Sequence, residues 1–391
     1  MKVLDTLDQI INRHESGRFV VLEISHNFIR STNLFVKDNS IKLNGIIFKK
    51  IETDNIEAIL NSLKIPQASK VIILGDDKSV VTFPAWVSVT RNDVKKEIDS
   101  GELENIISQA VWKFLNHYQA KAVAKLNVLE TEIILANIRI LGVRINKHKV
   151  LNPIGFKANT IEFLIEQTFI NRDLFRLIES KIKPKSDIVF VSQIGVIESL
   201  ACVHFFESED KFNLLRLLPH NSLVLDINPK ARFQDNISDP IISLKDSKNF
   251  NHQNLLQGIK EFFDIEEATA SKIYDLYIEG KASYKMMSFL KDLVYKEWQE
   301  FSKSIKYHLK SKNKNYILAD YSLLSDCLIK EPPLFNVINI KDIIEKAGFN
   351  YDLNNSISIS TALSGLLGYH YSNREDELNK LAERRAKWLI P

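Results

Sequence analysis

The sequence is short of glycine and of cysteine. Only 12 of its 391 residues are Gly, no two of them adjacent or one residue apart, and the nearest pair is Gly365 and Gly368. That excludes the Walker A loop, the dinucleotide-binding G-x-G-x-x-G and the kinase glycine-rich loop together, because each needs clustered glycines to bring backbone close to phosphate. Cys202 and Cys327 each stand alone in the sequence, which fits a reducing compartment and excludes a disulfide framework or a Cys-rich metal site. The nine His never fall in H-E-x-x-H, and no G-x-S-x-G occurs, so neither a zincin helix nor a hydrolase elbow is present. No apolar run reaches the roughly 18 residues of a membrane span. The best stretch, Ile133 to Ile145, is interrupted by Asn137, Arg139 and Arg144. Asp5, Asp8 and Glu15 replace the apolar segment of a signal peptide, so a cytoplasmic location is expected. An excess of one charge is missing too. Fifty-two Lys and Arg against 49 Asp and Glu leave +3, too balanced for a dedicated nucleic-acid binder.

What is present is an alternation of strands and helices. Apolar runs predict strands over 19–24, 41–48 and 70–74, with a helix over 56–63 between the last two. From Glu102 to Tyr118 the apolar residues Leu103, Ile106, Ile107, Ala110, Val111, Phe114, Leu115 and Tyr118 form one helical stripe. Strands over 132–140, 143–150 and 160–169 follow, with a turn at Asn146-Lys147. This helix plus antiparallel strands looks like a small inserted unit. Alternation then resumes, with helices over 172–182, 196–206, 251–263, 266–278 and 283–310, and strands over 187–191, 222–227 and 316–319. A helix starts at Ser322 and a terminal amphipathic one covers 373–390. The class is α/β.

Val89-Thr90-Arg91-Asn92, Gly101 to Asn105 and Lys149-Val150-Leu151-Asn152-Pro153-Ile154-Gly155 resemble the inserted subdomain of the bacterial cell-division actin homologue FtsA. The type IV pilus protein PilM shares that architecture. The resemblance is diffuse but runs in order along nearly the whole chain. It implies a two-lobed actin-like (ribonuclease H-like) fold: residues 1–80 as the first part of the N-terminal lobe, 81–171 as the inserted subdomain, 172–372 as the rest of that lobe and the C-terminal lobe, and 373–391 as a terminal helix.

The resemblance also says where a nucleotide would bind. The first phosphate loop falls on Glu23-Ile24-Ser25-His26-Asn27, with Ser25 where the family has glycine. The second is placed at Asp226-Ile227-Asn228-Pro229-Lys230, where Pro229 has no N–H to offer and Asn228 puts a side chain in the way. The adenosine segment is placed at Ala319-Asp320-Tyr321-Ser322, and Lys272 matches a family lysine. Glu23 and Asp226 are the only candidates to hold Mg²⁺, through water, if Mg-ATP binds; their plain reading is as turn-capping carboxylates. His26 and Lys230 likewise read first as a turn histidine and a solvated loop lysine. With all three glycine loops altered, no cofactor is expected, no catalytic residue is assigned, and a pseudo-ATPase is favoured over an enzyme.

What such a protein would do follows from the same resemblance. It would bind an FtsZ-type filament protein at the inner face of the membrane, or, on a PilM-like reading, a peptide of a membrane protein, and it would self-associate. Nucleic acid is not expected as a partner. At the C-terminus, Leu378, Leu381, Ala382, Ala386 and Leu389 share a helix face, with Arg384, Arg385, Lys387 and Trp388 beside it. A basic, Trp-tipped helix of this kind suits a membrane interface, and equally a helix docked on the protein body.

Overall fold

The computed structural model describes residues 15–25, 28–51, 56–206, 210–217, 222–248, 252–278, 281–305, 309, 313–319, 335–351, 359–371 and 377–389. β1 (Gly17–Ile24), β2 (Phe28–Lys37) and β3 (Ser40–Lys50) form an antiparallel meander, and α1 (Ile56–Ser62) leads to β4 (Lys70–Gly75), which is parallel to β1. The β2–β3 turn is a two-residue Asp38-Asn39 hairpin with φ of 48° and 60°, a left-handed pair that Asp and Asn tolerate. β1 is central and both its faces are buried, which is why Phe19 to Leu22 read as a continuous apolar run.

The chain then leaves this sheet. β5 (Val80–Thr90), α2 (Ser100–Leu126), β6 (Ile133–Ile145), β7 (His148–Val150) and β8 (Thr160–Asn171) build a separate sheet with α2 packed on it. Asp99 caps α2, its Oδ1 accepting from Glu102 N at 2.8 Å, and Asn127 ends it in the left-handed region at φ 53°. The predicted stripe is the buried face: Leu103, Ile106, Ile107, Ala110, Val111, Phe114, Leu115 and Tyr118 are all buried against the sheet. Burial of each large apolar side chain on this face contributes about 1.5–3 kcal/mol.

α3 (Arg172–Ile182) returns the chain to the first sheet, where β9 (Asp187–Gln193) lies parallel to β4. α4 (Ile194–Phe206) crosses to a second sheet made of β10 (Phe212–Leu217), β11 (Ser222–Ile227), β14 (Ile242–Lys248), β15 (Lys314–Ala319) and β16 (Asn336–Ile338). Two short strands, β12 (Phe233–Gln234) and β13 (Ile237–Ser238), attach instead to the edge of β5. α5 (His252–Phe263), α6 (Glu267–Ile278) and α7 (Tyr284–Ile305) pack together, and Trp298, Phe301 and Ile305 share a core with Val224 and Ile317 of the second sheet. α8 (Ile340–Lys346), β17 (Asn350–Tyr351), α9 (Ser360–Tyr371) and α10 (Glu377–Leu389) complete the fold.

The first sheet reads β17-β3-β2-β1-β4-β9 and the second β14-β11-β10-β15-β16. Apart from β17, both have the order 3-2-1-4-5: an antiparallel meander followed by two parallel strands. Two copies of this topology make the two-lobed actin-like (ribonuclease H-like) fold. α4 and α9 lie in the seam between the lobes and share one core with both sheets. Both helices are buried over nearly their whole length, so neither shows an amphipathic stripe. Their close approach needs small residues. A Cβ on Gly368 would sit 2.0 Å from Ile197 Cδ1, and one on Gly365 would sit 2.7 Å from Leu74 Cδ1.

Candidate functional site

The end of β1 and the start of β2 carry the first phosphate-loop residues. Glu23 is buried and lies opposite Arg30 in the β1–β2 register. The guanidinium grips it with two bonds, Nε to Oε1 at 2.8 Å and Nη2 to Oε2 at 2.5 Å. A carboxylate held by both oxygens in this way is occupied by a fixed cation. Ser25 Oγ donates to Asp76 Oδ2 at 2.9 Å, just past the end of β4, while Asp76 Oδ1 accepts from Lys78 N and Ser79 N. The Ser25–Asp76 bond thus ties the end of β1 to the segment after β4. His26 and Asn27 lie outside the described residues.

The second loop is a correction. In the repeated topology the counterpart of β1 is β10, so the equivalent turn follows Leu217 and falls at 218–221, outside the described residues. Asp226 is on β11, the strand that runs back, and it pairs with Asn213 near the start of β10. Ala319, at the end of β15, pairs with Leu217. Four strand residues, about 13 Å, therefore separate the two along β10, and the structure does not bring Asp226 and Ala319 together. The misreading has a simple cause. Asp-Ile-Asn-Pro looks like a strand end followed by a turn, and it is one, but at the opposite end of the sheet. Asp226 meets Lys211 at 2.9 Å and Lys245 at 3.6 Å. Asn228 N donates to Ile241 O at 2.7 Å, and Pro229 O accepts from Trp86 Nε1 at 3.4 Å. The 226–230 segment is thus used to join the second sheet to β5. Lys230 and Lys272 are exposed, the latter on α6; Ser322 lies outside the described residues.

The place in β10 that matches Glu23 is taken by Arg216, each being the last but one residue of its strand. Arg216 is fully buried. Its Nε donates to Glu198 Oε2 of α4 at 2.8 Å, its Nη2 to Ser360 Oγ at 2.7 Å and Thr361 Oγ1 at 3.2 Å of α9, and its Nη1 to Leu318 O at 3.2 Å. Thr361 Oγ1 in turn donates to Glu198 Oε1 at 2.9 Å. One guanidinium thereby ties both seam helices to the second sheet. A third buried pair joins the inserted sheet to the same seam: Arg139 holds Glu166 through Nε at 2.7 Å and Nη2 at 2.9 Å, and its Nη1 donates to Gly368 O at 2.7 Å. These seven residues (Arg30, Asp76, Arg139, Glu166, Glu198, Arg216 and Thr361) were not visible as a set in the sequence. The available signal was a lone charge inside an apolar run, Arg216 in FNLLRLL and Glu198 in IGVIESLACV, since such charges fold only when paired.

Chemically, Glu23, Glu166, Glu198 and Asp226 each already face an arginine or lysine. Among the described residues no group of three or more His, Cys, Asp or Glu is placed to hold a metal ion. Burial pushes the Cys202 thiol up, so it packs as a small apolar group. Cys327 lies outside the described residues.

α10 uses its apolar face on the protein. Leu378, Ala382 and Ala386 are buried in the α2 core, Asn379 Oδ1 accepts from Ile140 N at 2.6 Å, and Arg385 pairs with Glu104 at 2.7 Å. Among the described residues, the face that the sequence could offer to lipid (Leu378, Leu381, Ala382 and Ala386) is therefore packed against the protein body. Arg384 is exposed; the side chains of Lys387, Trp388 and Leu389 lie outside the described residues. No helix among the described residues is long and apolar enough to cross a membrane.

No protein-family model matches this sequence, and no curated protein matches it. Among solved structures, the chain is similar to a PilM-PilN type IV pilus biogenesis complex, at 9% identity and TM-score 0.49, over 91% of this chain and 98% of that one. It is also similar to the ethanolamine utilization protein EutJ from Carboxydothermus hydrogenoformans, at 8% identity and TM-score 0.37, over 93% and 97%. A third is Ta0583, an archaeal actin homolog, at 9% identity and TM-score 0.36, over 92% and 100%. The fold assignment rests on the repeated sheet order described above.

Proposed function

We propose that this chain is an actin-fold scaffold that binds protein partners without turning over ATP. One observation carries the reading: at the matching positions of the two lobes, Glu23 is locked by Arg30 and its counterpart is Arg216, locked by Glu198. A metal-bound triphosphate needs open carboxylates and room for backbone approach at those strand ends. Here a buried guanidinium–carboxylate pair takes each position: Glu23–Arg30 joins β1 to β2 within the first sheet, and Arg216–Glu198 joins the second sheet to the seam helix α4. On this reading the closest role is the FtsA-like one, linking an FtsZ-type filament protein to the cytoplasmic face of the membrane in cell division, with self-association. Phosphate release from Mg-ATP tests it: none is expected above background. Turnover well above background that Glu23→Gln abolishes would instead make the chain a working ATPase.

A PilM-like role has its own support. A cavity of about 420 Å³ opens between the end of β5 and α2, lined by Val89, Arg91, Asn92, Glu102, Asn105 and Gln109. An open trough beside a strand end suits a short extended peptide of a membrane protein. Co-purification from native cells separates the two roles, since division proteins support the first and pilus proteins the second.

A further inference from the structure

One end of the inserted sheet is built unlike the rest of the surface. The end of β5, the start of α2, the β6–β7 turn and the start of β8 all converge there, joined by loops 91–99 and 151–159. Loop 151–159 leaves Leu151 at 98%, Ile154 at 40% and Phe156 at 48% exposure, and Val94 in the other loop is 45% exposed. Lys95, Lys96, Lys147, Lys149 and Lys157 surround them, all exposed, against Asp93, Glu97 and Asp99. Five lysines against three carboxylates leave the rim net positive, and Asp99 is engaged with Lys96 at 3.0 Å.

These loops are fixed in place. Arg91, whose side chain is fully buried, donates through Nη1 to Ala158 O at 3.0 Å and through Nη2 to Lys96 O at 2.9 Å, gripping both loops. Its Nε and Nη2 also hold the two oxygens of Glu102 on α2 at 2.8 Å each. Ile98 N donates to Phe156 O at 3.0 Å, and Gly155 N donates to Ile98 O at 2.9 Å. α10 reaches the same end: its Arg385 pairs with Glu104, in the first turns of α2, so the helix runs toward the tip as it ends.

We propose that this tip is a contact site for an anionic bilayer surface. Apolar side chains that project from ordered loops, within a collar of lysines, match the layering of an acidic membrane: acyl chains take Leu151, Ile154 and Phe156 while phosphate headgroups meet the lysines. The charge of the collar selects an acidic surface over a neutral one. This deepens the scaffold reading by giving its membrane contact a place other than the apolar face of α10, which the protein body covers.

The test is flotation of the full chain with vesicles of phosphatidylglycerol in phosphatidylcholine, and with phosphatidylcholine alone. The protein is expected to float with the anionic vesicles only, and less so as salt is raised. Leu151→Asp with Phe156→Asp is expected to reduce binding by about tenfold or more. Lys147→Glu with Lys149→Glu is expected to abolish the preference for anionic lipid. All four positions are exposed, so an unchanged circular dichroism spectrum and melting curve are expected to accompany the loss. Absence of flotation by the unaltered chain overturns the proposal, as does a Leu151/Phe156 variant that floats as well as the parent. Either result leaves the nucleotide-free scaffold intact, because that reading stands or falls on ATP binding and turnover, measured without lipid.

Discussion

Replacing Arg216 by Met tests the seam. The guanidinium is fully buried and joins β10 to Glu198 of α4 and to Ser360 and Thr361 of α9. Removing it leaves the Glu198 carboxylate buried without its cation, which costs about 3–5 kcal/mol. That is a large share of a typical total stability of about 5–15 kcal/mol. Removing both charges in Glu198→Leu/Arg216→Met is expected to cost far less, because a buried ion pair and a packed apolar pair are close in free energy. Hydrogen exchange of the α4 and α9 amides reads the local effect. Exchange in Arg216→Met should speed up by roughly 150- to 5,000-fold, which is the same 3–5 kcal/mol, and the double variant should return most of the way to the parent. A single variant costing under about 1 kcal/mol, or a double variant as damaged as the single, would refute the reasoning.

Other consequences are open to direct measurement. Gly368→Ala sets a methyl 2.0 Å from Ile197 Cδ1 and 3.3 Å from Phe190 Cε1. Overpacking of about 1–3 kcal/mol should outweigh the gain in helix propensity of about 1 kcal/mol, so the melting temperature should fall, and Ile197→Val should restore part of it. At the tip, the hydrogen bonds from Arg91 hold the Glu102 carboxyl below its ordinary value. A depressed carboxylate stabilises above its unfolded pKa of about 4.3 and loses that contribution as pH falls through the folded one. Exchange protection in residues 91–99 and 151–159 should therefore persist at neutral pH and fade below about pH 4; fading on the alkaline side would contradict the sign.

The sequence was most readable where one period served one face. The α2 stripe is buried as its spacing predicts, and Asn146-Lys147 is a two-residue turn with φ of 48° and 72°. β5 was missed because Pro84 interrupts it. The proline sits where β5 meets the 237–241 segment and offers its carbonyl to Ile241 N, an edge position that needs no N–H. α9 was missed because Ser360, Ser364, Gly365 and Gly368 look like a loop, yet they are what let it pack closely in the seam. β10 was obscured by Arg216, whose partner lies 18 residues away on α4. The pairing of Glu23 with Arg30 was within reach, since they face each other across a short hairpin. The placement of Asp226 was not, because strand direction depends on the repeated topology and not on the local motif.

On the proposed reading, the strand ends that carry the phosphate turns of an actin-like fold are closed here by the buried pairs Glu23–Arg30 and Glu198–Arg216. Calorimetric titration with Mg-ATP, at concentrations that reveal dissociation constants up to about 1 mM, or about −4 kcal/mol, tests it most directly. No binding heat and no thermal stabilisation are expected. Binding tighter than about 10 µM, close to −7 kcal/mol, would mean that Arg30 and Arg216 leave the cleft open, and would contradict it.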